Sequence, residues 1–349
     1  MQAVLYSIVR GMVKKINRRF TLKARPEDLP EMEHFALEES EHPNLARGEV
    51  RVKALYHALS PWQGQRLKDF ANYTGPFEIG ELIDGDVLGE VVEAAPGADL
   101  APGQLVTSRL GWQDYAVAKA DGLSAVTEEF DPTLWLTALS SPGLTAYTAL
   151  DLFGRSMPGQ TMVVTSAAGS VGGYAVQLGK LAGMHVVGVA GGSSKCGYVV
   201  DALGADACVD HKADSYADAL SDALPDGAHQ VFDTTGGPVA DAVFSNIAKF
   251  ARVLIVGRTA SNNSNRPDLD PLNMRLLWAR EATIQGFSRY SYPERWAFAR
   301  ERMMKLCRQD KIKANHNTVD GFENLPQALH DMLAGKFIGK VLVKSGVPQ

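Results

Sequence analysis

Cysteine is scarce in this chain: Cys196, Cys208 and Cys307 are all there are among 349 residues, and no two form a CxxC pair. A disulfide framework and a four-cysteine zinc lobe are thereby excluded. Free thiols in an acidic chain point to a reducing compartment. Positive charge is not in surplus either: 35 Lys and Arg stand against 40 Asp and Glu, a net charge of −5. Such a chain is a poor ligand for polyanions, so no nucleic-acid partner is expected. HExxH, a GxSxG elbow and a Walker lysine are all missing, and the eight histidines are scattered. Internal repeats and low-complexity tracts are absent too.

Long apolar runs are equally few. Residues 156–179 carry no charge over 24 positions, long enough to span a bilayer. Pro158, Gly159, Gly169, Gly172, Gly173 and Gly179 interrupt them, so they read as a turn, a buried strand and the start of a helix. At the start, the apolar stretch 1–9 precedes the positive charges Arg10, Lys14 and Lys15, the reverse of a signal peptide. Met12 is a candidate start, with residues 1–11 as an appendage. The expectation is a soluble, cytoplasmic protein with no membrane partner.

What is present is ordinary globular material, 45% hydrophobic and 21% charged, in a length that suits about two domains. Residues 10–25 hold seven basic residues and no acid. With no aromatic interleaving they read as a solvated edge strand rather than an anion-binding patch. From about 48 to 125, short β segments alternate with turns; residues 50–56 show the period of two expected of a half-buried strand. A small, mostly antiparallel β domain fits.

After about residue 135 the rhythm changes to apolar strands alternating with helices. Strands are expected at 162–165, 185–189, 207–209, 230–233, 253–256 and 283–286. Helices are expected over 171–183, 194–203, 214–223 and 238–248, near 270–280, and over 293–308. That succession predicts an α/β, doubly wound parallel sheet of Rossmann type in the order 3-2-1-4-5-6. Residues 339–344 read as a further strand that returns to the β domain. The expected division is 1–138 for the substrate-side β domain, 139–308 for the dinucleotide domain and 309–349 for the return.

The first strand-to-helix turn reads Thr165-Ser166-Ala167-Ala168-Gly169-Ser170-Val171-Gly172-Gly173, an AxGxxG pattern. Gly169 lets the main chain approach a pyrophosphate, and Gly172 lets the helix pack tightly. The amides of Ser170, Val171 and Gly172 then face the phosphates at the positive end of the helix dipole. The end of the second strand selects the nucleotide. An NAD site usually carries Asp or Glu there. This chain has Val189-Ala190-Gly191-Gly192-Ser193-Ser194-Lys195, with its first acid at Asp201. Hydroxyls and a lysine in place of a carboxylate favour NADP(H).

On these residues the sequence resembles the zinc-independent medium-chain dehydrogenase/reductases. More narrowly, it is similar to the prostaglandin/leukotriene reductases, alkenal/one oxidoreductases and curcumin reductases. Ile16-Asn17-Arg18-Arg19-Phe20, Gly111-Trp112-Gln113-Asp114-Tyr115-Ala116, Pro142-Gly143-Leu144-Thr145-Ala146-Tyr147 and Gly321-Phe322-Glu323-Asn324-Leu325-Pro326 extend the likeness over about residues 16–344. The resemblance implies a GroES-like β domain and NADPH-dependent reduction of a carbon–carbon double bond conjugated to a carbonyl. Hydride goes to the β-carbon without a metal, and the partner is a small conjugated carbonyl substrate. It also implies a homodimer through the last strands of the parallel sheet. A quinone or carbonyl reductase, an alcohol dehydrogenase and a non-catalytic NADPH-binding protein remain as alternatives.

Carried over, the resemblance assigns Ala168, Gly169, Ser170, Val171 and Gly172 to the pyrophosphate, and Gly192 and Lys195 to the 2′-phosphate side. His211, Thr234, Val256, Gly257, Arg258 and Asn262 follow along the cofactor, with Phe287, Ser288 and Arg289 beside the nicotinamide. Five places depart from the family pattern. His211 and Asn262 stand for tyrosines, Thr234 and Phe337 for asparagines, and Ser60-Pro61-Trp62-Gln63-Gly64 for an Asp-Pro-Tyr-Met-Arg stretch. Most of these changes fall where substrate and nicotinamide meet. Candidates for catalysis there are Tyr73, Asn262 and Trp62, the last as a flat wall for a conjugated substrate.

Overall fold

The computed structural model describes residues 16–69, 75–127, 129–259 and 274–345. Tyr73, Asn262 and the basic residues Arg10, Lys14 and Lys15 lie outside them, as does Met12.

The chain opens with β1 (Ile16–Leu22) paired antiparallel to β2 (Phe35–Glu41). Two residues of the basic stretch are paired here: Arg18 forks onto Asp114 at 2.7 and 3.2 Å, and Arg19 pairs with Glu38 at 2.8 Å. Next come β3 (Glu49–Leu59), α1 (Pro61–Arg66), β4 (Asp86–Ala94), β5 (Leu105–Arg109), β6 (Tyr115–Lys119) and β7 (Ser124–Ala125). β3 pairs antiparallel with both β4 and β6, and runs past the expected residue 56 to Leu59. Trp112 is fully buried, edge-on to Phe20 and stacked 5.6 Å from Phe35. The preceding Gly111 has φ +74°, and a Cβ there would lie 2.7 Å from Leu82, so the turn that delivers the indole needs glycine.

After α2 (Ser141–Ala149) the parallel sheet is laid down. It alternates β8 (Thr161–Val164), α3 (Gly172–Leu181), β9 (His185–Ala190), α4 (Ser193–Asp201), β10 (Ala207–Asp210) and α5 (Tyr216–Asp222). It continues with β11 (Ala228–Asp233), α6 (Gly237–Ser245), β12 (Ile247–Ile255), α7 (Met274–Arg280) and β13 (Thr283–Gly286), before α8 (Trp296–Arg308). The spatial order β10-β9-β8-β11-β12-β13 is the expected 3-2-1-4-5-6. Met162, Val163, Val164, Val186, Val187, Val231 and Phe232 are wholly buried, because helices cover both faces of such a sheet.

Element ends moved where capping decides them. The expected helix 293–308 becomes α-helical only at Trp296, because Pro293–Arg295 form a 3-10 turn. The expected helix 171–183 begins at Gly172 and ends at Leu181, just before the left-handed Gly183.

The chain then forms β14 (His316–Asp320), α9 (Leu325–Leu333) and β15 (Lys340–Lys344). β15 lies parallel to β14 and antiparallel to β3, with Val341 opposite Leu59. Among the described residues no helix is long and apolar enough to cross a membrane.

Candidate active site

β8 ends in a turn whose backbone is strained. Ser166 has φ +47°, a left-handed conformation that costs a non-glycine residue about 1–2 kcal/mol. Such strain persists where the surroundings hold it, commonly at functional sites. Here the Ser166 carbonyl accepts from Gly169 N–H at 2.8 Å. A Cβ on Gly172 would lie 2.2 Å from that same carbonyl. The glycine therefore packs against the turn itself, rather than against the strand as the motif alone suggests. A second support comes from far along the chain. Gly339 N–H donates to Ala168 O at 2.7 Å, and Asn315 Nδ2 to Gly169 O at 2.9 Å. Ser170, Val171 and Gly172 follow at the entrance to α3.

At the end of β9, Gly192 caps α4 with φ +97°, and nothing lies within 4 Å of where its Cβ would be. Lys195 leads the next turn, and its Nζ donates to Gly335 O at 2.6 Å. Burial, and then the nearby Lys212 ammonium, lower its pKa. Lys212 arrives from the end of β10, with His211 beside it: a Cβ on Gly191 would lie 2.9 Å from His211 Nε2 and 3.0 Å from Lys212 Cε. Burial likewise lowers the His211 pKa. Sequence reasoning missed Lys212, because it follows β10, whereas Lys195 lies on the helix that follows β9. It also missed Asp210, which brings a carboxylate to this place after all. One of its oxygens, Oδ1, accepts from the N–H groups of Gly192 at 2.7 Å and Lys212 at 2.9 Å.

The strand ends of β8, β11 and β12 are tied together by Asp233. Buried to 1% exposure, it accepts from Thr165 Oγ1 at 2.6 Å and from the main-chain N–H groups of Thr235 and Gly236. Burial raises its pKa against those bonds. Thr234 turns its hydroxyl back to Thr165 O at 3.2 Å, and Val256 N–H donates to Asp233 O at 2.7 Å. Gly257 approaches within 3.2 Å of Thr234 O at its Cβ position, and Arg258 lies over Gly236. Among the described residues, the buried Thr235 Oγ1 has no hydrogen-bond partner.

After β13, the Phe287 ring is buried, stacked 5.7 Å from Tyr292, so only its main chain faces this region. Ser288 follows, and Arg289 lies over the rings of Tyr290 and Trp296 at 4.7 and 4.6 Å. On the opposite side, Trp62 is half-buried on α1 with the Arg109 guanidinium 4.7 Å over its ring. Arg109 is itself paired with Asp84. Among the described residues no His, Cys, Asp and Glu side chains gather as a metal site.

A glycine-lined turn at a helix entrance, an open Gly192 and two lysines suit an extended phosphorylated dinucleotide. The known proteins agree with that reading. A family model described as the N-terminal domain of oxidoreductase matches residues 18–126, and one described as zinc-binding dehydrogenase matches residues 170–305. The NADPH-dependent curcumin reductase of Escherichia coli is 36% identical over 96% of this chain and 98% of its own.

The chain belongs to the medium-chain dehydrogenase/reductases, in the branch of the curcumin and prostaglandin reductases.

Within that branch, prostaglandin reductase 1 of Sus scrofa is 31% identical over 94% of this chain and 99% of its own. The crystal structure of CurA in complex with NADPH from Vibrio vulnificus superposes with a TM-score of 0.89 at 33% identity, covering 95% of this chain and all of that one. The family frame makes the local departures legible. His211 places its ring beside Gly191. Thr234 spends its hydroxyl on the fold. Phe337 is half-buried against the core around Trp112, which an asparagine would not favour.

Proposed function

We propose that this protein uses NADPH to reduce the carbon–carbon double bond of an α,β-unsaturated ketone or aldehyde. It is an NADP-dependent oxidoreductase. The observation that carries the cofactor choice is the pair Lys195 and Lys212 beside Gly192, with Oδ1 of the nearby Asp210 turned onto main-chain N–H groups. Two ammonium groups suit a 2′-phosphate, and Asp210, with Oδ1 already engaged, does not offer both oxygens to two ribose hydroxyls.

In this reading Ala168, Gly169, Ser170, Val171 and Gly172 hold the pyrophosphate, and His211 lies beside the adenine. Thr234, Val256, Gly257 and Arg258, with the main chain of Phe287, Ser288 and Arg289, line the nicotinamide half. The bound cofactor supplies hydride. The protein aligns the alkene, excludes water and places a donor where the carbonyl oxygen gains charge. Trp62 supplies a flat wall for a conjugated substrate, and Tyr73 and Asn262, outside the described residues, are candidate donors. We place the domain limits at 138/139 and 308/309, and the protein in the cytoplasm. We also propose a homodimer: β13 is the last strand of its sheet, and Trp278 on α7 and Phe250 on β12 are 81% and 64% exposed.

The test is to mix purified protein with NADPH and an enone, an enal or a quinone, following cofactor absorbance and identifying products. A saturated product with its carbonyl intact supports the proposal. An allylic alcohol or hydroquinone replaces it with a carbonyl or quinone reductase, and tight NADPH binding without turnover on a broad panel replaces it with a binding protein.

A further inference from the structure

One buried cation has no place in that reading. Lys340 opens β15 at 3% exposure, and its ammonium donates to the Ser60 hydroxyl. Among the described residues it forms no ion pair. Burying a lysine against a neutral hydroxyl is costly, and the cost falls on the charged form. Burial accordingly pushes its pKa down to about 8, with Asp86 on β4 opposing and Arg289 adding to the shift. His57, on β3, is engaged elsewhere, with Gln113 O at 3.2 Å and Ser345 Oγ at 3.0 Å.

The position of Lys340 is as specific as its surroundings. Its neighbour Gly339 bridges Gly169 in the dinucleotide turn, and its own N–H donates to Asn315 O at 2.9 Å. Its side chain reaches across to Ser60, the residue that starts the helix bearing Trp62 and whose N–H donates to Gln63 Oε1 at 2.8 Å. Arg289 approaches from the end of β13. Lys340 therefore links the turn at Gly169, through its neighbour's main chain, to the helix bearing Trp62, through its ammonium.

We propose that Lys340, acting through the Ser60 hydroxyl, holds and delivers the proton that reduction of the double bond requires; this rests on the enone reading. In the step, the Ser60 O–H bond breaks as its proton passes to the substrate's enolate oxygen, and the resulting enol tautomerises, its α-carbon gaining a proton from water as its O–H proton returns to water. A Lys340 N–H bond breaks in turn and its proton restores the serine. In the relay from Lys340 to the enolate two bonds to hydrogen break and two form, the lysine is left as a neutral amine, and it regains a proton from water before the next turnover. A buried amine is suited to this, since its neutral form carries no desolvation penalty. Lys340 is a positioning and proton-storing residue, and the group that meets substrate is Ser60.

The test compares wild type with Lys340→Arg, Ser60→Ala and Ser60→Asp. Arginine keeps the charge and releases no proton in the accessible range. Turnover of an enone with NADPH is followed from pH 6 to 10, and the lysine is titrated by NMR of protein labelled with 13Cε-lysine, its signal assigned by loss in Lys340→Arg. The expected results are an alkaline fall in wild-type kcat near the NMR midpoint and at least a tenfold loss in Lys340→Arg with that fall removed. Ser60→Ala is expected to lose a similar factor. In Ser60→Asp the midpoint rises by more than one pH unit, because a carboxylate then faces the ammonium. NADPH affinity, read by calorimetry, certifies that each variant is folded. Lys340→Arg with the wild-type profile, or a lysine signal still protonated beyond pH 10, overturns the role while leaving the enone reading intact. A wild-type protein that turns over no enone overturns both.

Discussion

Lys195 and Gly335 are joined across the cleft: the lysine Nζ, on α4, donates to the glycine carbonyl just beyond α9 at 2.6 Å. A 2′-phosphate entering here competes with a neutral acceptor, and wins because a charge-assisted bond is the stronger. Lys195→Ala is expected to weaken NADPH by ~1.5–3 kcal/mol, roughly 10- to 150-fold, and to leave NADH nearly unchanged. Calorimetric titration of both nucleotides checks this. An equal loss for the two would show that the lysine serves the fold and not the phosphate.

Lys212 shares the load. The Lys212 ammonium lowers the Lys195 pKa, so removing Lys212 relieves Lys195 and that single variant understates the pair. Lys212→Ala should cost NADPH ~1 kcal/mol, a neutral hydrogen bond's worth. The double variant should lose more than the two single losses combined, bringing the affinities for NADPH and NADH together. Additive losses in the cycle would place Lys212 outside the phosphate site.

The strained turn has no slack for a methyl group at Gly172, whose Cβ would meet the Ser166 carbonyl at 2.2 Å. Overpacking of this kind costs ~1–3 kcal/mol, and here it pushes the helix entrance away from the phosphates. Gly172→Ala is expected to lower stability by that amount and NADPH affinity at least tenfold. Gly122→Ala is the control, since nothing lies within 4 Å of its Cβ position. Urea unfolding and calorimetry on both variants decide it: a Gly172→Ala protein with wild-type affinity would remove the turn from the site.

What the sequence made legible was what repeats along it. The alternation of valine-rich strands with helices carried the six-stranded order, and Val189-Ala190-Gly191-Gly192 carried the missing carboxylate. What it concealed depends on contacts between distant segments. Lys212 comes near Lys195 only because β10 lies beside β9, and Asp210 turns Oδ1 onto the N–H groups it happens to face. Lys340 and Ser60 are 280 positions apart, and no local pattern marks a lysine in a strand as buried. Asn315 reads as a loop residue, yet it is fully buried and braces Gly169.

Trp278 tests the assembly. An indole at 81% exposure beside an open sheet edge is the residue a second copy would cover. Trp278→Glu should convert a dimer into a monomer in light scattering at micromolar concentration, with NADPH binding kept. A wild-type protein that is monomeric at the same concentration would dismiss the dimer.

His57 sets an acid limit on the fold. It is completely buried, with both ring nitrogens in hydrogen-bond contact, and burial pushes its pKa down to about 4. The unfolded chain holds a histidine near its ordinary value of about 6.5, so it takes up a proton first as pH falls. The contribution of this group is therefore complete above about 6.5 and is lost progressively as pH drops towards 4. The whole loss is on the order of 3 kcal/mol, at ~1.4 kcal/mol for each pH unit separating the folded and unfolded pKa values. Urea unfolding at pH 7.5 and 4.5 should show wild-type stability falling by about that much from this source. His57→Asn should start less stable at pH 7.5 and fall less. An unchanged difference between the two pH values in His57→Asn would assign the acid sensitivity to other groups.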